Sequence, residues 1–112
     1  MDLAGKLQVR GEPLAVHGRP DDVVLGGVVV EADATAVLAF VLRSQQLASA
    51  GGPALTAAQE DRLAWIAYPK AGQLGTDLDR DRLVAAAREH GVQPVRQVAI
   101  DRVWSALRFR PA

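Results

Sequence analysis

The residues best suited to chemistry are scattered polar side chains that follow apolar segments of the chain. His17 could act as a general base, because imidazole exchanges protons near neutral pH. No serine, cysteine or carboxylate stands at a recognisable spacing from it, so no catalytic triad is indicated. Lys70 and Arg80 could hold an anionic group through charge-assisted hydrogen bonds. These residue types favour binding over catalysis.

The sequence contains no recognisable motif for a metal or a cofactor. It has no cysteine and only two histidines, His17 and His90, which lie far apart. Asp77, Asp79 and Asp81 alternate as in a calcium loop, but no glycine-then-glutamate continuation follows. Helix capping explains these aspartates better. Since phosphate-loop and dinucleotide fingerprints are also missing, we predict no bound cofactor and no metal.

Charge and composition restrict the partners and the compartment. Thirteen basic residues balance thirteen acidic ones, so no long-range field attracts nucleic acid or an anionic membrane surface. No segment approaches the roughly 18 consecutive apolar residues of a membrane span, and the first ten residues do not resemble a secretion signal. Together with the lack of cysteine, these features predict a cytoplasmic protein that is neither a general nucleic-acid binder nor a membrane protein.

The secondary-structure elements that must position these residues are predicted from apolar runs and breakers. The 112 residues show no compositional break, so we predict one α/β domain over residues 1–112. Apolar or β-branched runs predict six strands. They cover residues 13–17, 28–31, 37–42, 63–68, 95–100 and 105–110. A helix that begins at Ala34 is the main alternative to the third of these strands.

Helices are predicted in three regions between the strands. Residues 21–25 could form a single helical turn. Two short helices occupy residues 45–62, because the sequence Gly-Gly-Pro at 51–53 must interrupt them, and Thr56 is the predicted N-cap of the second. A further helix begins after the start signal at 76–79 and ends before Gly91.

The last two strands are predicted to form an antiparallel hairpin, because residues 101–104 are too few for a parallel crossover. The sheet is therefore mixed and mostly parallel, with five or six strands and flanking helices. Arg108 and Arg110 alternate with apolar residues, which predicts one solvent-exposed face on the last strand. That face is either ordinary surface or a contact patch.

Three segments carry a resemblance to a known family. They read Leu-Ala-Trp-Ile-Ala-Tyr-Pro-Lys at 63–70, Thr-Asp-Leu-Asp-Arg-Asp at 76–81 and Ala-Ile-Asp-Arg-Val-Trp-Ser-Ala-Leu-Arg-Phe at 99–109. With these segments the chain resembles domain-of-unknown-function family 3052, a group of uncharacterised small bacterial proteins. The resemblance is specific over residues 63–111 and weaker over 35–47. It implies no activity and transfers no catalytic residue.

The predicted order of elements also looks like the second half of a class I methyltransferase sheet, a Rossmann-like plan. Such enzymes carry a glycine-rich turn after the first strand. Here the turn reads His-Gly-Arg-Pro-Asp-Asp at 17–22. The chain is therefore not expected to bind S-adenosylmethionine.

In an open α/β sheet, ligands bind beyond the carboxyl ends of the parallel strands. That rule predicts a crevice at this edge, although every α/β domain has polar strand ends and the edge could be ordinary surface. The candidate ligand-binding residues are His17, Arg19, Lys70, Arg80, Asp101 and Trp104. Arg80 is expected on the inward side of its helix, where it either pairs with Asp101 or binds a ligand. Trp104 either plugs the end of the core or offers a stacking surface.

Three functions remain open on the sequence alone. The first is a non-catalytic binding or regulatory module with a protein partner. The second is a small enzyme or ligand-binding protein that holds an anionic small molecule in the crevice. The third is a structural subunit of a larger assembly, which would include self-association through an exposed sheet edge.

Overall fold

The computed structural model describes residues 2–112 and contains a five-stranded mixed sheet flanked by helices. The strands are β1 (Leu14–His17), β2 (Ala36–Phe40), β3 (Ala64–Pro69), β4 (Val92–Ala99) and β5 (Trp104–Pro111). The helices are α1 (Leu3–Lys6), α2 (Leu47–Ala50), α3 (Gly52–Gln59) and α4 (Arg80–Arg88). Short 3₁₀ turns cover Ser44–Gln46 and Gln73–Gly75.

The strand order is β1-β2-β3-β5-β4. β1, β2 and β3 are parallel, and β5 runs antiparallel to both of its neighbours. This arrangement confirms the predicted α/β class and the antiparallel hairpin at the C-terminus. Because β5 lies between β3 and β4, the hairpin joins the sheet through its second strand.

Helices and loops cover both faces of the sheet. Ile66 and Tyr68 of β3 belong to the cluster that contains residues of α3 and α4. Trp65 and Ala67 belong to a second cluster, formed with α1, the residues that follow it, and part of the loop between β1 and β2. All six residues of β3 are buried. The prediction that this strand is covered on both faces is confirmed.

The prediction of an exposed face on the last strand is correct only at the C-terminal end of the strand, where Arg110 is exposed. Ala106 of β5 is completely buried, and Arg108 is only partly exposed. The reason is the strand order, which puts β5 inside the sheet while the N-terminal segment covers the face that carries Ala106. The exposed strand is β4, five of whose eight residues are exposed.

The edge strand β4 is poorly suited to pairing with another strand. Pro94 lies within it and has no N–H to donate. The register also shifts between Pro94 and Arg96, as in a β-bulge. Proline, bulges and charged side chains are the devices by which proteins prevent edge-to-edge pairing.

Two predicted elements in the first third of the chain are absent from the structure. Residues 28–31 form no strand and contribute a single bridge, between Val30 and Leu14, at the outer edge of β1. Residues 21–25 form a turn and no helix. Val23 is buried, and Leu25 and Val28 pack against the same cluster, whereas Val24, Val29 and Val30 are exposed. The β-branched run at 28–30 therefore forms no ladder beyond the single bridge.

Other local predictions are mixed. The strand over 37–42 is observed at Ala36–Phe40, so the alternative helix that begins at Ala34 is wrong. Thr56 is not an N-cap, because α3 already begins at Gly52 with Pro53 in its first turn. The short helix α1, capped by Asp2, was not expected from the sequence.

Candidate functional site

A cleft of about 420 Å³ opens at the carboxyl ends of β1 and β2, beside the start of β5. This is the edge of the sheet at which the sequence predicts a crevice. The cleft is lined by Gly18, Pro20, Phe40, Leu42, Gln46, Ser49, Ala50, Leu74 and Trp104. Most of these side chains are apolar, and none carries a formal charge.

Two aromatic rings form the inner wall of the cleft. Phe40 ends β2 and Trp104 begins β5. Their ring centroids lie 5.1 Å apart at an interplanar angle of 75°, an edge-to-face arrangement. Trp104 is buried, so it closes the end of the core and at the same time lines the cleft. Both predicted roles for this tryptophan are therefore compatible.

The polar groups of the cleft come from the segment after β2. The Arg43 backbone N–H donates to Gln46 Oε1 at 3.2 Å, and the Ser49 hydroxyl donates to the Gln46 carbonyl oxygen at 3.2 Å. These bonds hold the 3₁₀ turn and α2 together. They leave the Gln46 Nε2 hydrogens and the Ser49 oxygen lone pairs as the groups that a ligand could engage. Neither residue stands out in the sequence.

Leu74 forms the outer rim in an unfavourable backbone conformation. Its φ is +54°, and the residue is 54% exposed. Left-handed backbone at a non-glycine residue costs of order 1 to 3 kcal/mol and often marks functional loops. Gly72 and Gly75, on either side, also have positive φ values. The loop therefore holds an apolar side chain at the mouth of the cleft.

Both ends of this loop are fixed by hydrogen bonds. The Lys70 N–H donates to the Val103 carbonyl oxygen at 2.7 Å. At the other end, the Thr76 hydroxyl donates to the Leu42 carbonyl oxygen at 2.5 Å. The rim is thus attached to the segment that follows Phe40 and to the turn that precedes Trp104.

Asp77 joins the same loop to the segment after β2. Its carboxylate accepts from the Ser44 backbone N–H at 2.9 Å and also from the Ser44 hydroxyl. These hydrogen bonds, assisted by the charge of Arg43, lower the pKa of Asp77. The N-cap of α4 is Asp79, which accepts from the Arg82 N–H at 2.8 Å. Capping therefore accounts for Asp79, whereas Asp77 bridges two loops.

The structure brings some of the candidate residues to the cleft. Trp104 lines it, and Lys70 lies at the same end of the sheet, because Pro69 and Trp104 are paired in the register of β3 and β5. His17 ends β1 immediately before Gly18, which lines the cleft. The predicted proximity of Lys70 and Trp104 is confirmed, but Lys70 is not among the lining residues.

Two further candidates stabilise the loops in which they lie. Arg19 Nη1 donates to the Val23 carbonyl oxygen within its own loop. Asp101 Oδ1 accepts from the backbone N–H groups of Val103 and Trp104, both at 2.8 Å. This turn sets the entry of Trp104 into β5, so Asp101 shapes the cleft without lining it.

The expectation that Arg80 points inward is wrong. Its guanidinium is half exposed and lies 3.4 Å from Asp81, not from Asp101. Arg80 is the first residue of α4, from which a long side chain can cover apolar surface with its stem while the charged head reaches water. Its charge acts on the nearby Tyr68 hydroxyl. Arg80 does not line the cleft.

Comparison with known proteins assigns no function to this site: no protein-family model matches the chain, and no curated protein matches it. Within residues 2–112, no group of three or more histidine, cysteine, aspartate or glutamate side chains could hold a metal ion. No helix in that range is long and apolar enough to cross a membrane.

Tyr68 has a raised pKa and provides a spectroscopic test of the sheet near the cleft. Burial raises the pKa of the phenol above its ordinary value, whereas the charge of Arg80 and a hydrogen bond with Ser105 oppose that shift. Tyr68 is the only tyrosine in the chain. We expect its ultraviolet absorbance to report ionisation above the ordinary phenol pKa of about 10.

The same shift predicts a loss of stability in alkali. A pKa that is higher in the folded state contributes stability that is fully present below the unfolded pKa and disappears as the pH rises through the folded pKa. Denaturant unfolding measured across this range should show that loss, and Tyr68→Phe should remove it. Ionisation of the native tyrosine at or below the pKa measured in denaturant would contradict the observed burial.

Proposed function

We propose that the protein is a non-catalytic binding module whose cleft takes a small, uncharged and largely apolar molecule. The observation that supports this function is the chemistry of the cleft wall. Two aromatic rings and several aliphatic side chains are combined with two neutral polar side chains, Gln46 and Ser49. Pockets for small ligands have this composition, and about 420 Å³ falls within their usual size range.

A neutral ligand fits this site better than an anionic one. An anion placed in the cleft would lose hydration without a cation in the wall to compensate it. Lys70 and Arg80, the cations expected to bind an anion, lie outside the lining residues. We therefore propose a neutral ligand in preference to the anionic small molecule that the sequence also allowed. The resemblance to family 3052 also stays a proposal, and it adds no activity.

The matched probes benzamide and benzoate test this proposal, because they share a ring and differ in charge. Titration is followed by protein NMR at the amides of residues 46–50 and at the Trp104 indole N–H. We expect saturable shifts with benzamide and weaker binding of benzoate. Failure of both probes to shift these signals would contradict the proposal.

Two neighbouring substitutions locate the binding event. Ser49 lines the cleft, whereas Ala48 is exposed on the same helix and does not line it. Ser49→Trp should occupy the cleft and weaken benzamide binding by roughly tenfold or more, equivalent to about 1.4 kcal/mol. Ala48→Trp adds the same ring outside the cleft and should leave binding unchanged. Equal effects of the two substitutions would place the probe elsewhere.

The anionic alternative makes the opposite prediction. If benzoate binds more tightly than benzamide, and if the double variant Lys70→Met with Arg80→Met removes that preference, then these cations hold the ligand. Under our proposal the double variant retains benzamide binding, because neither side chain belongs to the cleft wall.

A further inference from the structure

Two arginine side chains face each other where β4 and β5 pair. In the antiparallel register Arg96 lies opposite Arg108, and Arg108 lies opposite Trp65 on the other side. Directly opposite side chains share one face of the sheet and have Cβ atoms about 4.5 to 5.5 Å apart. Like charges at such positions destabilise a sheet. This pair of arginines therefore needs an explanation.

The hydrogen bonds of Arg108 do not neutralise its charge. Its Nη1 donates to Gln8 Oε1 at 2.8 Å, a neutral acceptor. Its Nε is buried and has no hydrogen-bond partner. A buried donor without an acceptor costs about 1 to 3 kcal/mol, and more when the group is charged. The Nε edge of this guanidinium is thus left without an acceptor.

Three of the eleven arginines have a carboxylate partner, and Arg96 and Arg108 are not among these three. Among residues 2–112 the ion pairs are Arg62–Glu60, Arg80–Asp81 and Arg110–Asp61. Arg110, two residues beyond Arg108 on the same strand, thus has a carboxylate partner. Arg96 and Arg108 are in none of these pairs. The register places these two arginines opposite each other on adjacent strands, and the described part of the chain supplies no carboxylate to either.

We propose that Arg96 and Arg108 bind the phosphate group of a small molecule. A phosphate dianion matches the two positive charges, and its oxygen atoms accept the forked N–H donors that guanidinium groups present. With Nη1 bonded to Gln8 and Nε buried, Arg108 offers its Nη2 hydrogens to an oxyanion. Arg96 is exposed and can close over the anion from the edge strand.

This phosphate site is separate from the apolar cleft. Arg108 lies opposite Trp65 near the start of β3, whereas the cleft is formed by Trp104 at the opposite end of the same pair of strands. The phosphate site does not depend on the proposed function. Its failure and the failure of the cleft proposal are distinguishable by the residues whose signals change.

Gln8 provides a sensitive reporter of binding. Its side chain accepts from Arg108, and its backbone adopts a positive φ of 63°. The preceding residue, Leu7, accepts a hydrogen bond from the Trp65 indole through its carbonyl oxygen at 2.9 Å. A phosphate that engages Arg108 should therefore alter the Gln8 amide signal.

The test is a titration with inorganic phosphate at constant ionic strength, with the pH held on the alkaline side of neutrality so that the dianion predominates. NMR signals of the arginine Nε–H groups and of Gln8 are followed. We expect saturable shifts at Arg96, Arg108 and Gln8. Glycerol phosphate, used in a second titration, distinguishes a phosphate monoester from the free ion as the preferred source. Saturable binding of either at these residues supports the proposal.

Substitutions of two exposed arginines control the test. Arg96→Gln removes one of the two charges at a solvent-exposed position and should weaken phosphate binding by about tenfold or more. Arg102→Gln removes an exposed charge from the turn at the other end of β5 and should have no effect. The proposal is overturned if the shifts do not saturate, or if they persist unchanged in Arg96→Gln.

Discussion

Replacing Trp65 with alanine is expected to lower the free energy of unfolding by about 3 to 5 kcal/mol. Trp65 is completely buried in β3, and its strand has neighbours on both sides. Removal of the indole would leave a large cavity in the cluster that joins α1 to the sheet. It would also deprive the Leu7 carbonyl of its hydrogen bond from Trp65 Nε1. Urea denaturation of the variant measures the effect.

Trp65→Phe separates the cavity from the hydrogen bond. Phenylalanine retains much of the apolar volume but donates no hydrogen bond, so its expected cost is about 1 to 3 kcal/mol. Faster amide exchange in α1 and at Gln8 should accompany it, because the anchor of that segment is lost. A cost below about 1 kcal/mol for Trp65→Ala would contradict the burial of this residue.

The elements that the sequence predicts correctly are those whose signals are local. The run at 63–68 is apolar at nearly every position and is observed as the buried strand β3. The start signal at 76–79 precedes α4, which is capped by Asp79. Four residues between two strands restrict the connection to a hairpin, whatever the rest of the chain does. None of these inferences requires knowledge of which strands are neighbours.

The elements that it misses depend on contacts between distant residues. Two hydrogen bonds hold the segment after α1. The Leu7 carbonyl accepts from Trp65, 58 residues further along the chain. The Gln8 side chain accepts from Arg108, 100 residues further along. No local pattern encodes such pairs. The error on β5 has the same origin, because alternation of apolar and basic residues is typical of a half-exposed strand, whereas the strand order makes β5 internal.

The edge of the site was predictable, but its wall was not. The rule on carboxyl ends of parallel strands selects the correct edge, and Trp104 is found there. Most of the residues predicted to bind a ligand there are charged, but Asp101 stabilises a turn and Arg80 reaches solvent. Gln46 and Ser49 lack a distinctive sequence signal. The break at Gly51 and Gly52 predicted two short helices, but nothing in the sequence placed the first of them at this edge.

Gly51 and Gly52 are adjacent, yet alanine at the two positions is expected to have opposite effects on stability. A Cβ atom at Gly51 would lie 2.6 Å from the Leu47 carbonyl oxygen and 3.2 Å from Val41 Cγ2. Backbone would have to shift to admit it, so Gly51→Ala should cost about 1 to 3 kcal/mol. A Cβ atom at Gly52 meets nothing within 4 Å. Gly52→Ala should therefore stabilise the protein by about 0.4 to 1 kcal/mol, because it restricts the unfolded chain.

The same pair of variants tests whether α2 forms the wall of the cleft. Gly51 follows Ala50 directly, and Ala50 lines the cleft. The shift that a methyl group at Gly51 requires moves this short helix, since the closest contact of the added atom is with the Leu47 carbonyl at its first residue. Gly51→Ala should therefore weaken benzamide binding as well as stability, whereas Gly52→Ala should leave binding unchanged. If both variants change stability in the same direction, the close packing of Gly51 against Val41 and Leu47 is wrong, and with it the position of α2 beside Trp104.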